Sequence, residues 1–396
     1  MSSLISLNRF SSVLTNSVSI LSQRLDTEVK GTPVILYNNE TFEANALADI
    51  RVDDWKEYEV LNQKGKPVAS QTVVDKDNKP HLIFDANVPS TGAAVYSIQP
   101  TKNIFRPIKP DIHHDLENTV YRLTVNAQGD VTSIVDKRNG KELVARGKAL
   151  GLVVFDDCES YAWPAWEIQK KTIDKEPVGI KDNVKIQRIE NGTLRKSLRI
   201  EKTYGDSKFV QYIRLYEGAQ ADRIDFSNEV DWHSLNALLK MNFPLNIDND
   251  KATYDLGLGS IQRGNNTNTA FEVYAHEWTD LTDRSGDYGI TIMNDSKYGW
   301  DKPGNNTLRL SLLYSPKANR GYTYQERQDF GHHEFTFTLT GHIGQLNKST
   351  AVQQSKLLNS PLKAFWSPKH KGNLGHEYSF VSCDNPNVTV QALKKA

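Results

Sequence analysis

The 396 residues include 48 Lys and Arg against 48 Asp and Glu, giving a formal net charge of zero, and 38% are hydrophobic. That balance leaves no excess of basic side chains to neutralise a phosphate backbone, which argues against a nucleic acid partner. No run approaches the ~18–20 consecutive apolar residues of a bilayer-spanning helix, and the two cysteines, Cys158 and Cys383, match neither a metal spacing nor a disulfide framework.

The opening stretch, MSSLISLNRFSSVLTNSVSILSQRL, is rich in serine and free of acids until Asp26, which superficially suits a transit peptide. Its apolar residues Leu7, Phe10, Leu14, Val18, Leu21 and Leu25 step by three or four, however. That spacing predicts one helical face, over residues 1–27, which needs a surface to pack on. Short strands follow at Pro33–Tyr37, Ala48–Val52, Pro80–Phe84 and Ala94–Ile98. Their length and turn spacing predict a small β unit over residues 28–105.

From residue 106 to 396 the strand signals strengthen. Tyr121, Leu123 and Val125 alternate with polar residues, and Asn139-Gly140 and Asn191-Gly192 are hairpin turns whose residues tolerate positive φ. The alternation from Thr193 to Val230 suits strands buried on one face. Further strands are expected at Ala270–Val273, Tyr288–Met293, Leu308–Leu313 and Phe335–Leu339. Without strand–helix alternation, a large antiparallel sandwich is the economical architecture. The polar segment Gly341–Leu374 is read as a bridge to a last pair of strands.

Motifs for zinc hydrolysis, nucleotide binding, serine catalysis and dithiol chemistry are missing. The Asp156-Asp157 pair is the kind that 48 acids produce by chance, and a glycosidase needs carboxyls opposed across a sugar, which adjacency does not show. In His113-His114-Asp115 and His332-His333-Glu334, neighbouring side chains point to opposite faces of a strand, so neither is expected to hold a metal. His333 shares a face with Phe335 and Phe337 and is expected to be a hydrogen-bonded structural histidine. The aromatic run Ser160-Tyr161-Ala162-Trp163-Pro164-Ala165-Trp166-Glu167 stands out. Its proline bars an ordinary central strand, and its rings serve either as packing or as a platform for the apolar face of a sugar.

Between Asp231 and His342 the chain reads DWHSLNALLKMNFPLNI, ATYDLGLGSIQR, FEVYAHEWTDL, DYGITIMNDSKYGWD, NTLRLSLLYSP and GHHEFTFTL. In order and spacing this succession resembles the C-terminal region of family-38 glycoside hydrolases, the α-mannosidases. The flanks ISLNRFSSVLTNSVSILSQRLDT and YRLTVNAQGDVTSIVDKRNGKEL agree, so the resemblance covers nearly the whole chain. It implies a mainly β fold: a large antiparallel β-sandwich, of the galactose-mutarotase-like supersandwich type, after a short helix and a small β-sandwich. It further implies a retaining, zinc-dependent reaction on α-linked mannose. The zinc and the nucleophilic Asp of that reaction belong to an N-terminal domain, and a further zinc His to a helical region. No motif of this chain matches those groups, so no catalytic or metal residue is assigned. His113-His114-Asp115 imitates the zinc-His letters but stands in sandwich context.

The expectation is therefore a C-terminal portion cut at both ends. Its partners would be the missing catalytic and helical domains and a mannose-containing oligosaccharide, and its role that of scaffold and pocket wall. Two patches are candidates for sugar contact: Asn294, Asp295, Lys297 and Tyr298 on a loop leaving a strand, and Trp163 with Trp166. The latter segment resembles a Trp-Asp-Ala-Trp-Asp phrase in which Pro164 and Glu167 here replace the acids. A free-standing carbohydrate-binding module is the alternative.

Overall fold

A computed structural model describes residues 2–319, 321–385, 388 and 390. The chain forms two compact units. One comprises residues 1–107, 218–220 and 360–396, and the other residues 108–217 and 221–359.

In the first unit, the helix Ser2–Ser22 leads to the strand Thr32–Asn38. That strand pairs antiparallel with both Gly92–Ile104 and Lys363–Trp366. A smaller sheet orders Ala44–Arg51, Pro80–Val88 and Ser70–Val74. Along Ala44–Arg51 the residues Ala44, Ala46, Ala48 and Ile50 are buried while those between are more open, the period-2 pattern of a one-faced strand. Among the described residues, the helix is anchored at its C-terminal end. Val18 and Leu21 pack against the Leu25, Ile35, Tyr37, Ala93 and Val95 cluster, and the Tyr37 hydroxyl meets the Ser22 hydroxyl at 2.7 Å. Leu7, Phe10 and Leu14 of the expected stripe remain 65%, 73% and 44% exposed.

The last strands fall outside the large sandwich, which was expected to run to residue 396. Lys363–Trp366 and Glu377–Ser379 join the sheet of the first unit rather than closing the large sandwich. Backbone bonds hold the return: Leu374 N to Arg24 O at 2.9 Å and Asp26 N to Gly375 O at 2.8 Å. Gly372 is required there, because a Cβ would stand 2.1 Å from the Leu25 carbonyl oxygen. The polar bridge also holds unexpected structure. The strand Gly331–Ile343 runs into it, and a helix spans Ala351–Asn359.

In the second unit, a nine-stranded antiparallel sheet places Gly331–Ile343 between Ile224–Trp232 and Tyr288–Asn294. A six-stranded sheet is built around Ala237–Pro244 and Thr307–Ser315. Side chains from the two sheets meet in one apolar core. Phe226 and Phe337, cross-strand partners in the first sheet, stack at 5.2 Å, and Phe243 from the second sheet meets Phe337 edge-on at 5.6 Å. Such offset and T-shaped pairs add to area burial. The fold is thus mainly β and built largely of antiparallel sheets, as the alternating pattern predicts, with one short parallel pair between Glu159–Ser160 and Lys317–Ala318.

Candidate functional site

After the short strand Glu159–Ser160 the chain turns, as Pro164 demands. The amides of Trp166 and Glu167 both donate to the Trp163 carbonyl at 2.9 Å. Glu167 then folds back on the loop it ends. Its Oε2 accepts from the Ser160 hydroxyl at 2.6 Å and from the amides of Tyr161, Ala162 and Trp163 at 3.0, 3.1 and 3.3 Å. Burial raises this carboxyl, but Ser160 and the three amides outweigh it and hold the group below the usual glutamate range. Neighbouring segments pin the loop as well: Asn319 Nδ2 donates to the Ser160 carbonyl and Gln328 Nε2 to that of Pro164.

The two indoles stand on the outside of this loop. Trp163 and Trp166 stack with centroids 5.8 Å apart and planes 22° apart, and the Tyr322 ring lies 5.7 Å from Trp163. Trp166 is 85% exposed, far more than packing would leave a residue that buries well. A cavity of about 410 Å³ opens beside it, with Glu167, Tyr314, Gln328 and Asp329 in its lining. The Tyr314 hydroxyl is buried without a hydrogen-bond partner among the described residues. Burial, with Cys158, Glu167 and Glu272 nearby, pushes its ionisation upward, so it stays a neutral hydrogen-bonding group.

The other expected patch divides. Asn294 is buried and fully engaged: Oδ1 accepts from the amides of Ser296 and Lys297, and Nδ2 donates to the His276 carbonyl. Asp295 accepts from the Thr336 amide and the Ser296 hydroxyl, and burial raises its carboxyl. These two shape the loop rather than face outward. Lys297 lies over the Phe335 ring at 4.8 Å. Burial lowers its ammonium, opposed by the fields of Asp329 and Asp295. Tyr298 is 57% exposed, with the His276 ring 6.4 Å away. Asp329 thus lines the cavity beside Trp166, and its charge also acts on Lys297. Neither Asp329 nor Gln328 was legible as a site residue, since nothing local marks them and they stand more than 160 residues beyond Trp166.

Of the two histidine pairs, His113-His114 precedes the strand Asp115–Glu117, whereas His332-His333 lies in the strand Gly331–Ile343. His113 lies 3.6 Å from Asp115 and 3.4 Å from Arg188, and His333 bonds the Asp329 carbonyl at 2.7 Å. Asp156 accepts from the Tyr204 hydroxyl, so it too has a packing role. On the six-stranded sheet, Lys240 is fully buried between Glu272 at 2.5 Å and Asp301 at 2.6 Å, and Arg309 chelates Asp301 from the other side. Ion pairs this enclosed hold their geometry by mutual satisfaction. Among the described residues no three His, Cys, Asp or Glu side chains gather as metal ligands. Zinc therefore has no matching donor set among the described residues.

The family model of the glycosyl hydrolases family 38 C-terminal domain matches residues 116–321. Alpha-mannosidase 2C1 of Mus musculus is 31% identical over 360 residues, covering 86% of this chain and 32% of that protein. An alpha-mannosidase of Saccharomyces cerevisiae is 31% identical over 284 residues, covering 67% of this chain and 25% of its own length. The chain thus spans about a third or less of these relatives. Among solved structures, a family 38 protein from Enterococcus faecalis superposes with a TM-score of 0.70 at 15% identity, covering 92% of this chain and 51% of that one, a likeness of fold. With more than half of its length matched by the family model, this chain belongs to the family 38 glycosyl hydrolases and carries their C-terminal domain.

Proposed function

We propose that this chain is the scaffold and part of the sugar-binding wall of a retaining, zinc-dependent α-mannosidase. Its ligand in this reading is an α-linked mannose oligosaccharide. The groups that hold zinc and attack the anomeric carbon lie outside these residues, in catalytic and helical domains of the same protein. One observation carries the reading: the stacked, solvent-facing Trp163–Trp166 pair beside a cavity edged by Glu167, Gln328, Tyr314 and Asp329. The apolar C–H face of a pyranose stacks on such rings, while the Asp329 carboxylate and the Gln328 amide at the edge take its hydroxyls. The exposed Leu7 and Phe10 favour a chain docked on other domains over the free-standing module.

The test has two arms. Incubated with zinc and a chromogenic α-mannoside, the chain is expected to show no turnover, and turnover at the rate of a complete α-mannosidase would end the proposal. Titrated with α-mannotriose, it is expected to show a saturable change in tryptophan fluorescence that Trp166→Ala abolishes. A flat titration would remove the wall assignment.

A further inference from the structure

We infer that Glu167 is a positioning residue. Its carboxylate closes the 160–167 loop on itself and so presents Trp163 and Trp166 as a preformed platform for a pyranose. The inference rests on the sugar-wall reading of the same loop and adds a cause to it. Four donors converge on a single oxygen, Oε2: the Ser160 hydroxyl and three consecutive backbone amides. Gln169 Nε2 holds the other oxygen. Three consecutive amides aimed at one point form an anion-binding concavity, and here the anion is built into the chain. Such charge-assisted bonds are about twice as strong as neutral ones.

Position along the chain shows what the arrangement is for. The bonded amides end at Trp163, and Glu167 directly follows Trp166, so the carboxylate ties together the backbone beneath both indoles. Beyond their mutual stack and the Tyr322 ring beside Trp163, the indoles are 53% and 85% exposed, which leaves much of their placement to the backbone of the loop. The acid is turned inward, to its own loop, and leaves the ring faces to a ligand. A platform ordered before binding spares the ligand the cost of ordering it.

The test uses Glu167→Gln, which keeps the size and one acceptor oxygen but removes the negative charge on which the hydroxyl and three amides converge. Two stacked indoles give an exciton couplet in circular dichroism, and its loss in Trp166→Phe identifies it. Glu167→Gln is expected to diminish that couplet and weaken α-mannotriose binding about tenfold. The melting temperature should stay near wild type, because the loop is at the surface. Ser160→Ala, which removes one donor of four, is expected to weaken the couplet partway. A couplet and an affinity both unchanged in Glu167→Gln would overturn the inference. A couplet that depends on Glu167 in a chain that binds no mannotriose would instead support the positioning role and overturn the sugar reading.

Discussion

Asp301 accepts from Lys240 Nζ at 2.6 Å, from Arg309 Nε at 2.9 Å and from Asn266 Nδ2 at 3.0 Å, and it has no exposure to water. Burial pushes its carboxyl up, yet Lys240 and Arg309 outweigh that and the net shift is downward. Glu272, sharing the same lysine, ends with a raised carboxyl because burial and the Asp301 charge prevail. The site therefore keeps its negative charge on Asp301. Removing it would leave the buried Arg309 guanidinium without its carboxylate and Lys240 with Glu272 alone, the costly way to break an ion pair. Asp301→Ala is expected to destabilise the chain by about 3–5 kcal/mol, read as a shift in the urea midpoint. A change below about 1 kcal/mol, the ordinary range for an exposed pair, would show that the network is hydrated.

At the scale of elements, the helix Ser2–Ser22 shows how a regular pattern and its use separate. The period of three and four fixes a helix and names its face, but among the described residues it is the end of that face that meets a core. Leu25, fully buried just after the helix, is expected to cost about 2–5 kcal/mol when changed to Ala. Phe10→Ser, on the exposed half, should change stability by less than about 0.5 kcal/mol. Chemical unfolding of the two variants compares them directly, and similar losses would mean that the exposed half is packed in solution. Strands were legible because alternation is local. Asn191-Gly192 joins Asp182–Asn191 to Arg195–Tyr204 as an antiparallel pair, as its turn residues predict. The helix Ala351–Asn359 was missed because it is polar and short of apolar stripe, and its buried residues are Ala351, Ser355 and Leu357.

Over the whole molecule, several buried carboxylates share one sign of shift. Asp225 is driven up by burial and then further down by Arg223, Thr338 and Tyr216. Glu190, against Arg195 and Ser197, has the same outcome, as does Asp136 beside Arg138 and Tyr288. A carboxyl lowered in the fold binds its proton less tightly there than in the unfolded chain. The stability it contributes is complete above the unfolded value, about 4 for these side chains, and is lost as pH falls through the folded one. Stability followed by thermal melts is therefore expected to fall steeply below about pH 4, with Asp225→Asn flattening that dependence. An unchanged slope in the variant would discount Asp225 as a source.

The sequence alone determined what is written residue by residue: the β class, the hairpin turns, a helical stripe, and the phrases between Asp231 and His342 that carry the family. Tertiary structure decided what depends on distant segments finding a register. It returned Lys363–Trp366 to the sheet of Thr32–Asn38, brought Gln328 and Asp329 to the side of Trp166, and turned Glu167 inward to its own loop. Alternation and turn chemistry act through neighbours a few residues apart and so leave a local trace. Convergence of side chains more than 160 positions apart rests on the summed pairing of every strand between them, which no single stretch of sequence encodes.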